Sequence, residues 1–325
     1  MKQPSVNTHY KECFRKCGLA LALISLALSS TLVAQDANQT ASKTAGPVVA
    51  LSLIVTDSAK NSLDKINKED VHVFEDKAEQ TVLSVERDER PVDCILAIDS
   101  SGSFRTLLGI ALASAKLLIT NRRPEDEIMI ERFISSDQIQ VVEKFTRDGN
   151  ALLAALDRMY VERGQSAVID ALYVGAKTFT DVNKTGKDRR KVIVIITDGE
   201  DRNSFYKEEA LVKFLRQSDV QVFALGLVVE LDKTPFFGPR NSREKAEKLL
   251  KTITAETGGR AFFPRDKAEL IESMKQIITD LRGQFRLTYQ SANDKKKGFR
   301  KVEVKLASPT GEKRNAIVPR GYGSS

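Results

Sequence analysis

Asp99, Ser101 and Ser103 stand two residues apart in the stretch Asp-Ser-Ser-Gly-Ser, which places one carboxylate and two hydroxyls on a single short turn. Hard oxygen donors of low total charge suit a small hard cation, Mg²⁺ first and Mn²⁺ as the alternative. The bland alternative is a strand-to-helix loop whose Asp and Ser side chains only cap the next helix. What precedes the motif bears on the choice. Val92 to Ile98 is a mostly apolar run of strand length with Asp93 as its only charge. Such a run suits a central parallel strand covered on both faces. Open α/β sheets bind ligands at the carboxyl ends of their strands, where Asp99 falls, and Gly102 is expected to let the backbone turn there.

Two further polar positions follow the same logic. Ser166, in Gly164-Gln165-Ser166-Ala167, precedes a helical pattern, and Asp198, in Ile196-Thr197-Asp198-Gly199, ends a second buried run that starts at Lys191. Between and beyond them, strand and helix patterns alternate from Val92 to Arg282. This predicts a doubly wound, mostly parallel α/β domain over residues 92–282, with the Val92 strand near the middle of its sheet. Asp99, Ser101, Ser103, Ser166 and Asp198 would then meet at one end.

The flanks read as β structure. Residues 48–91 form an N-terminal β module with strands at Val48–Thr56, Val71–Glu75 and Gln80–Arg87. Residues 283–325 supply C-terminal strands at Phe285–Gln290, Arg300–Leu306 and Ala316–Pro319. Each flank has too few strands for an independent sheet. The two are expected to pair into one β-sandwich from which the α/β domain protrudes.

The chain of 325 residues, 41% hydrophobic and 29% charged, has the composition of an ordinary globular protein. Its first 34 residues differ. Lys2, Lys11, Arg15 and Lys16 precede an apolar run from Gly18 to Leu28 and a small-residue exit ending at Ala34. That layout reads as a secretory signal peptide cleaved after Ala34, too short to span a membrane, followed by a flexible linker over residues 35–47. The expectation is an exported protein, periplasmic or extracellular, with no membrane span in the mature chain. Cleavage would lower the formal charge from +7 to +4 and remove Cys13, Cys17 and His9. Cys94 then has no intramolecular disulfide partner and reads as a core residue. A Ser-His-Asp triad or a His-rich zinc site would depend on His72, which lies in an alternating run and reads as an outward strand residue. No serine stands in Gly-x-Ser-x-Gly, and no glycine loop for phosphates or dinucleotides occurs. Dispersed basic residues, the lack of Trp and the expected export argue against nucleic acid as a partner. The run Lys295-Lys296-Lys297 reads as a charged hairpin turn.

Taken together, the three loops resemble the metal-ion-dependent adhesion site of the von Willebrand factor type A domain, over roughly residues 92–282. The resemblance implies that Ser101 and Ser103 give hydroxyl oxygens directly to the metal. Ser166 takes the place where the family usually has Thr, and Asp99 and Asp198 act through bound waters and hydrogen bonds to the serines. It also implies a non-enzymatic, adhesion-type module whose Mg²⁺ recognises an Asp or Glu presented by a protein partner. A Mg²⁺-dependent phosphoester hydrolase using the same pocket, and a structural scaffold with a vestigial site, are the alternatives. Glu200 and Asp201 read as solvated loop acids, and Asp170 as a first-turn helix acid. A second, narrower resemblance lies in Val55-Thr56-Asp57, in the stretch from Val71 to Asp76 and in Arg320-Gly321-Tyr322. These are similar to the flanks of a bacterial VWFA-related domain family of exported proteins.

Overall fold

The structure is a computed structural model that describes residues 46–181, 188–233, 242–292, 298–308 and 311–324. The expected signal peptide, linker residues 35–45, the Lys295–Lys297 turn and residues 234–241 lie outside the described residues. Three strands come first: β1 (Val48–Thr56), β2 (Val71–Glu75) and β3 (Ala78–Arg87). The α/β part follows as β4 (Val92–Asp99), α1 (Leu108–Thr120), β5 (Glu127–Phe133), β6 (Ile139–Thr146), α2 (Gly149–Asp157) and α3 (Val168–Asp181). It continues with β7 (Arg190–Thr197), α4 (Glu208–Ser218), β8 (Val220–Gly226), α5 (Ser242–Glu256), β9 (Ala261–Phe262) and α6 (Lys267–Gly283). The chain closes with β10 (Phe285–Gln290), β11 (Gly298–Leu306), β12 (Asn315–Ile317) and β13 (Gly321–Ser324).

The α/β sheet has the order β6-β5-β4-β7-β8-β9, with β6 antiparallel to β5 and the other pairs parallel. All eight residues of β4 are buried, as its near-continuous apolar sequence requires between two helical layers. Side-chain alternation divides the core accordingly. Cys94, Leu96, Ile98, Val194 and Ile196 share one cluster with Leu118 of α1, Leu152 of α2 and Met274 of α6. Ile95, Ala97, Ile193 and Ile195 share the other with Leu172 of α3, Leu211 of α4 and Leu250 of α5. Two helical layers therefore clamp the strands whose carboxyl ends carry the candidate residues.

Strands from both ends of the chain interleave in one seven-stranded antiparallel sheet, β12-β1-β10-β3-β2-β11-β13. β10 lies between β1 and β3, and β11 between β2 and β13. The sheet curls so that β11 comes close to β12 at its far end, and it wraps a cluster of Leu53, Val73, Leu287, Tyr289 and Val302. One curled sheet thus takes the place of two facing ones. At its centre the fully buried Glu75 accepts from Tyr289 (2.9 Å), Tyr322 (2.9 Å), Ser291 (2.9 Å) and Arg300 (3.2 Å). One carboxylate of β2 therefore ties together three strands from the other end of the chain, its lone pairs engaged as a buried charge demands. β13 lacks a β-prone sequence. It forms because Gly321 lets the backbone approach β11, where an added Cβ would stand 1.9 Å from the Arg300 carbonyl oxygen.

Candidate metal centre

Asp99 and Thr197 stand at the carboxyl ends of β4 and β7, one residue beyond the last registered pair, Ile98 opposite Ile196. Thr197 Oγ1 donates to Asp99 Oδ2 at 2.7 Å, and Ser166 Oγ donates to the same oxygen at 3.0 Å. The backbone N–H of Ser101 donates to Asp99 Oδ1 at 2.9 Å. Asp99, Ser101 and Ser166 are all buried, so these contacts replace water rather than compete with it. Ser103 Oγ donates to Asp198 Oδ2 at 2.8 Å and lies 3.2 Å from Ser101 Oγ. Asp198 Oδ1 accepts the Glu200 N–H at 3.0 Å. The five residues singled out by sequence are thus joined in one hydrogen-bonded cluster.

The loops are fastened to one another by backbone. Gly102 N–H donates to Gly164 O at 3.4 Å, and Glu162 N–H to Ser100 O at 2.9 Å, linking the first loop to the second. Arg202 and Asn203 N–H both donate to Ser166 O, linking the third to the second. Gly102 lies in the expected turn, closed by the Phe104 N–H donating to Ser101 O at 3.1 Å, without a positive φ. Gly199 does adopt one, with φ of +79° and its missing Cβ only 2.9 Å from Ala246 Cβ.

One sequence expectation is overturned here, that for the two loop acids. Glu200 and Asp201 are not solvated acids. Glu200 is buried and paired with Arg202, and Asp201 accepts from Ser204 Oγ (2.5 Å) and from the Ile169 N–H (3.1 Å). Asp170 lies in the first turn of α3, but its carboxylate accepts the Phe205 and Tyr206 N–H groups at 2.7 and 2.9 Å. The helix start and the third loop therefore hold each other through reciprocal carboxylates, which desolvation makes strong. Thr197 is the site residue that sequence reasoning missed. A threonine closing an apolar strand reads as β propensity, and only its place beside Asp99 in the neighbouring strand distinguishes it.

The electrostatics suit a cation. Burial pushes the Asp99 carboxyl above its ordinary value. Burial, and then the charge of Asp99, push Asp198 up to about 7. Two buried carboxylates that repel one another are met by hydroxyl and amide donors, without an arginine or lysine bonded to either among the described residues. The protons of Ser103, Ser166 and Thr197 point to carboxylates, and the Ser101 hydroxyl lies within reach of both Ser103 and Asp99. With their protons so directed, the serine oxygens keep lone pairs for a cation. The described residues contain no group of three or more His, Cys, Asp or Glu side chains that could hold a metal. Any ion here depends on hydroxyl donors, and that oxygen-only set fits Mg²⁺ or Mn²⁺.

Residues 93–277 match the von Willebrand factor type A domain family. Solved structures with a similar fold include an aerotolerance-related membrane protein from Bacteroides fragilis, 20% identical, covering 58% of this chain and 98% of that one, with a TM-score of 0.45. A von Willebrand factor type A protein from Catenulispora acidiphila is 13% identical over 84% of this chain and 73% of its own, with a TM-score of 0.47. Proximal thread matrix protein 1 from the mussel byssus, described with a zinc-occupied MIDAS motif, is 16% identical over 61% and 49%, again at 0.47. Comparison with curated proteins finds no match. Among the described residues, no helix is long and apolar enough to cross a membrane.

Proposed function

Because the chain belongs to the von Willebrand factor type A domain family, whose members are generally protein-interaction modules, we propose that it is an exported, metal-dependent binding module. The observation that carries this is the cluster in which three serine hydroxyls and two buried, mutually repelling carboxylates converge, with no arginine or lysine bonded to either acid among the described residues. Ser101, Ser103 and Ser166 would hold Mg²⁺ directly, and Asp99 and Asp198 would hold the serines and the ion's waters. When bound, the ion supplies a hard, under-compensated positive site for an Asp or Glu of a protein partner. Thr197 holds Asp99, and the crossed bonds of Asp170 and Asp201 hold the loops, so the hydroxyls keep their places as a carboxylate arrives.

Residues 92–282 would form the binding domain, with residues 48–91 and 283–325 as one supporting module, as their interleaved strands suggest. Export is supported by the layout of residues 1–34. The experiment is a glutamate- and aspartate-bearing peptide array probed in Mg²⁺ and in EDTA, beside a p-nitrophenyl phosphate assay. Chelator-sensitive peptide capture without turnover is the expected result. Metal-dependent turnover would replace this reading with the hydrolase, and silence in both assays would leave only a scaffold.

A further inference from the structure

Among the described residues, the exposed aromatic side chains of the α/β domain both stand on loops of the metal centre. Phe205 lies in the third loop, between Asp198 and α4, and is 78% exposed, more than any other large apolar residue described. Tyr160 lies in the second, between α2 and Ser166, and is 55% exposed. A single exposed apolar side chain is ordinary. These two are also held in place. The Phe205 N–H donates to the buried Asp170 carboxylate at 2.7 Å, and its ring stands edge-on to Tyr206 at 5.3 Å. Tyr206 in turn stacks on Tyr173 of α3 at 3.8 Å. The Tyr160 ring rests on the Arg132 guanidinium, 4.2 Å from the ring centroid, and Arg132 is buried and paired with Glu162. An aromatic fixed in advance loses little entropy when a partner covers it, which suits it as an interface anchor.

The two rings flank the site from opposite sides. Arg132 belongs to β5 and the third loop leaves β7, with β4 and its Asp99 between them. Neighbouring strands stand about 4.8 Å apart, so β5 and β7 are roughly 10 Å apart, the length of about three residues of extended chain. Two arginines complete the rim. Arg163 is flanked by Glu162 and Gly164, whose backbone atoms lie within 4.0 Å of where a Gly102 Cβ would stand. Arg105 shares the short helical turn of Gly102 and Ser103. Both arginines are exposed, and neither forms an ion pair among the described residues.

Resting on the metal-dependent reading above, we propose that the partner is a protein segment whose metal-bound Asp or Glu is flanked on both sides by large apolar residues, one packed on Phe205 and the other on Tyr160. The acid meets the ion and the field of Arg105 and Arg163. The apolar flanks cover rings that water otherwise wets, giving the aromatic and arginine composition of a binding face.

The test is fluorescence anisotropy of two labelled peptides titrated with the chain in Mg²⁺. One carries a single Asp with Leu two residues to either side, and the other has Ser in place of each Leu. The Leu-flanked peptide is expected to bind at least about tenfold more tightly, and EDTA to release both. Phe205→Ala and Tyr160→Ala should each weaken the Leu-flanked peptide about five- to twentyfold. Both should leave Mg²⁺ affinity and the Ser-flanked peptide unchanged, whereas misfolding would lower all three. Equal affinity for the two peptides, or a Leu preference that both variants retain, overturns the proposal while the acid-binding reading stands. Capture that survives EDTA overturns it as well, and no capture of either peptide overturns both. A dimer of the chain alone that Phe205→Ala disperses would give the face to a second copy and overturn the proposal too.

Discussion

Thr197 Oγ1 lies 2.7 Å from Asp99 Oδ2 and at the same time accepts the Gly199 N–H at 3.0 Å, so one hydroxyl couples the acid of the first loop to the turn of the third. Its single proton is committed to Asp99. The acid therefore keeps its orientation even when no cation is bound.

Thr197→Val is thus expected to weaken Mg²⁺ affinity about ten- to a hundredfold, the usual effect of losing a group that orients a metal site from behind. Thr197→Ser should retain it. Titration of both variants checks the point, since a role in packing alone would leave valine the better substitute.

Glu131 offers a pH test away from the site. It is buried in β5, its Oε1 has no hydrogen-bond partner, and burial pushes its carboxyl up to about 8. A folded pKa above the unfolded value of 4.5 means the native state holds the proton more tightly. Stability from this group is therefore full below about 4.5 and is lost as pH rises through 8. Glu131→Gln should gain on the order of 3 kcal/mol over wild type between pH 5 and pH 8. Urea denaturation at the two pH values measures it, and a gain independent of pH would refute the assignment.

Glu75 is the polar hinge of the curled sheet, so Glu75→Ala should cost about 3–5 kcal/mol, the scale of stranding a buried partner charge. Tyr322→Phe removes one of its donors and should cost only about 1 kcal/mol. Chemical denaturation of the pair distinguishes a shared network from independent contacts.

The sheet's strand order carries a separate consequence. A chain ending at Arg282 loses β10, the strand between β1 and β3. Residues 48–87 should then become protease-sensitive while the α/β domain survives limited proteolysis. Continued protection of residues 48–87 would show that they fold without the C-terminal strands.

The first loop was legible because Asp99, Ser101 and Ser103 fall within five residues and follow a strand that is apolar on both faces. Ser166 and Asp198 were placed by the strand and helix patterns beside them as well as by the resemblance, while Thr197 was not, since sequence distance hides that Ser166 and Thr197 both reach one oxygen of Asp99. Alternation marked the core strands well, as opposite faces of β4 serve two separate clusters. Glu200 and Asp201 were misread because loop acids are usually solvated, and only tertiary folding brings the third loop over the start of α3. β13 escaped notice because Gly-Tyr-Gly-Ser has no strand propensity, and its pairing depends on close backbone approach.

The most direct measurement is calorimetric titration of Mg²⁺ into wild type, Asp99→Ala and Ser101→Ala, with circular dichroism to confirm that each is folded. Saturable binding at one site in wild type, weakened at least about tenfold in both variants, is the predicted result. A folded wild type that does not bind Mg²⁺, or variants that bind it as well as wild type does, would contradict the account.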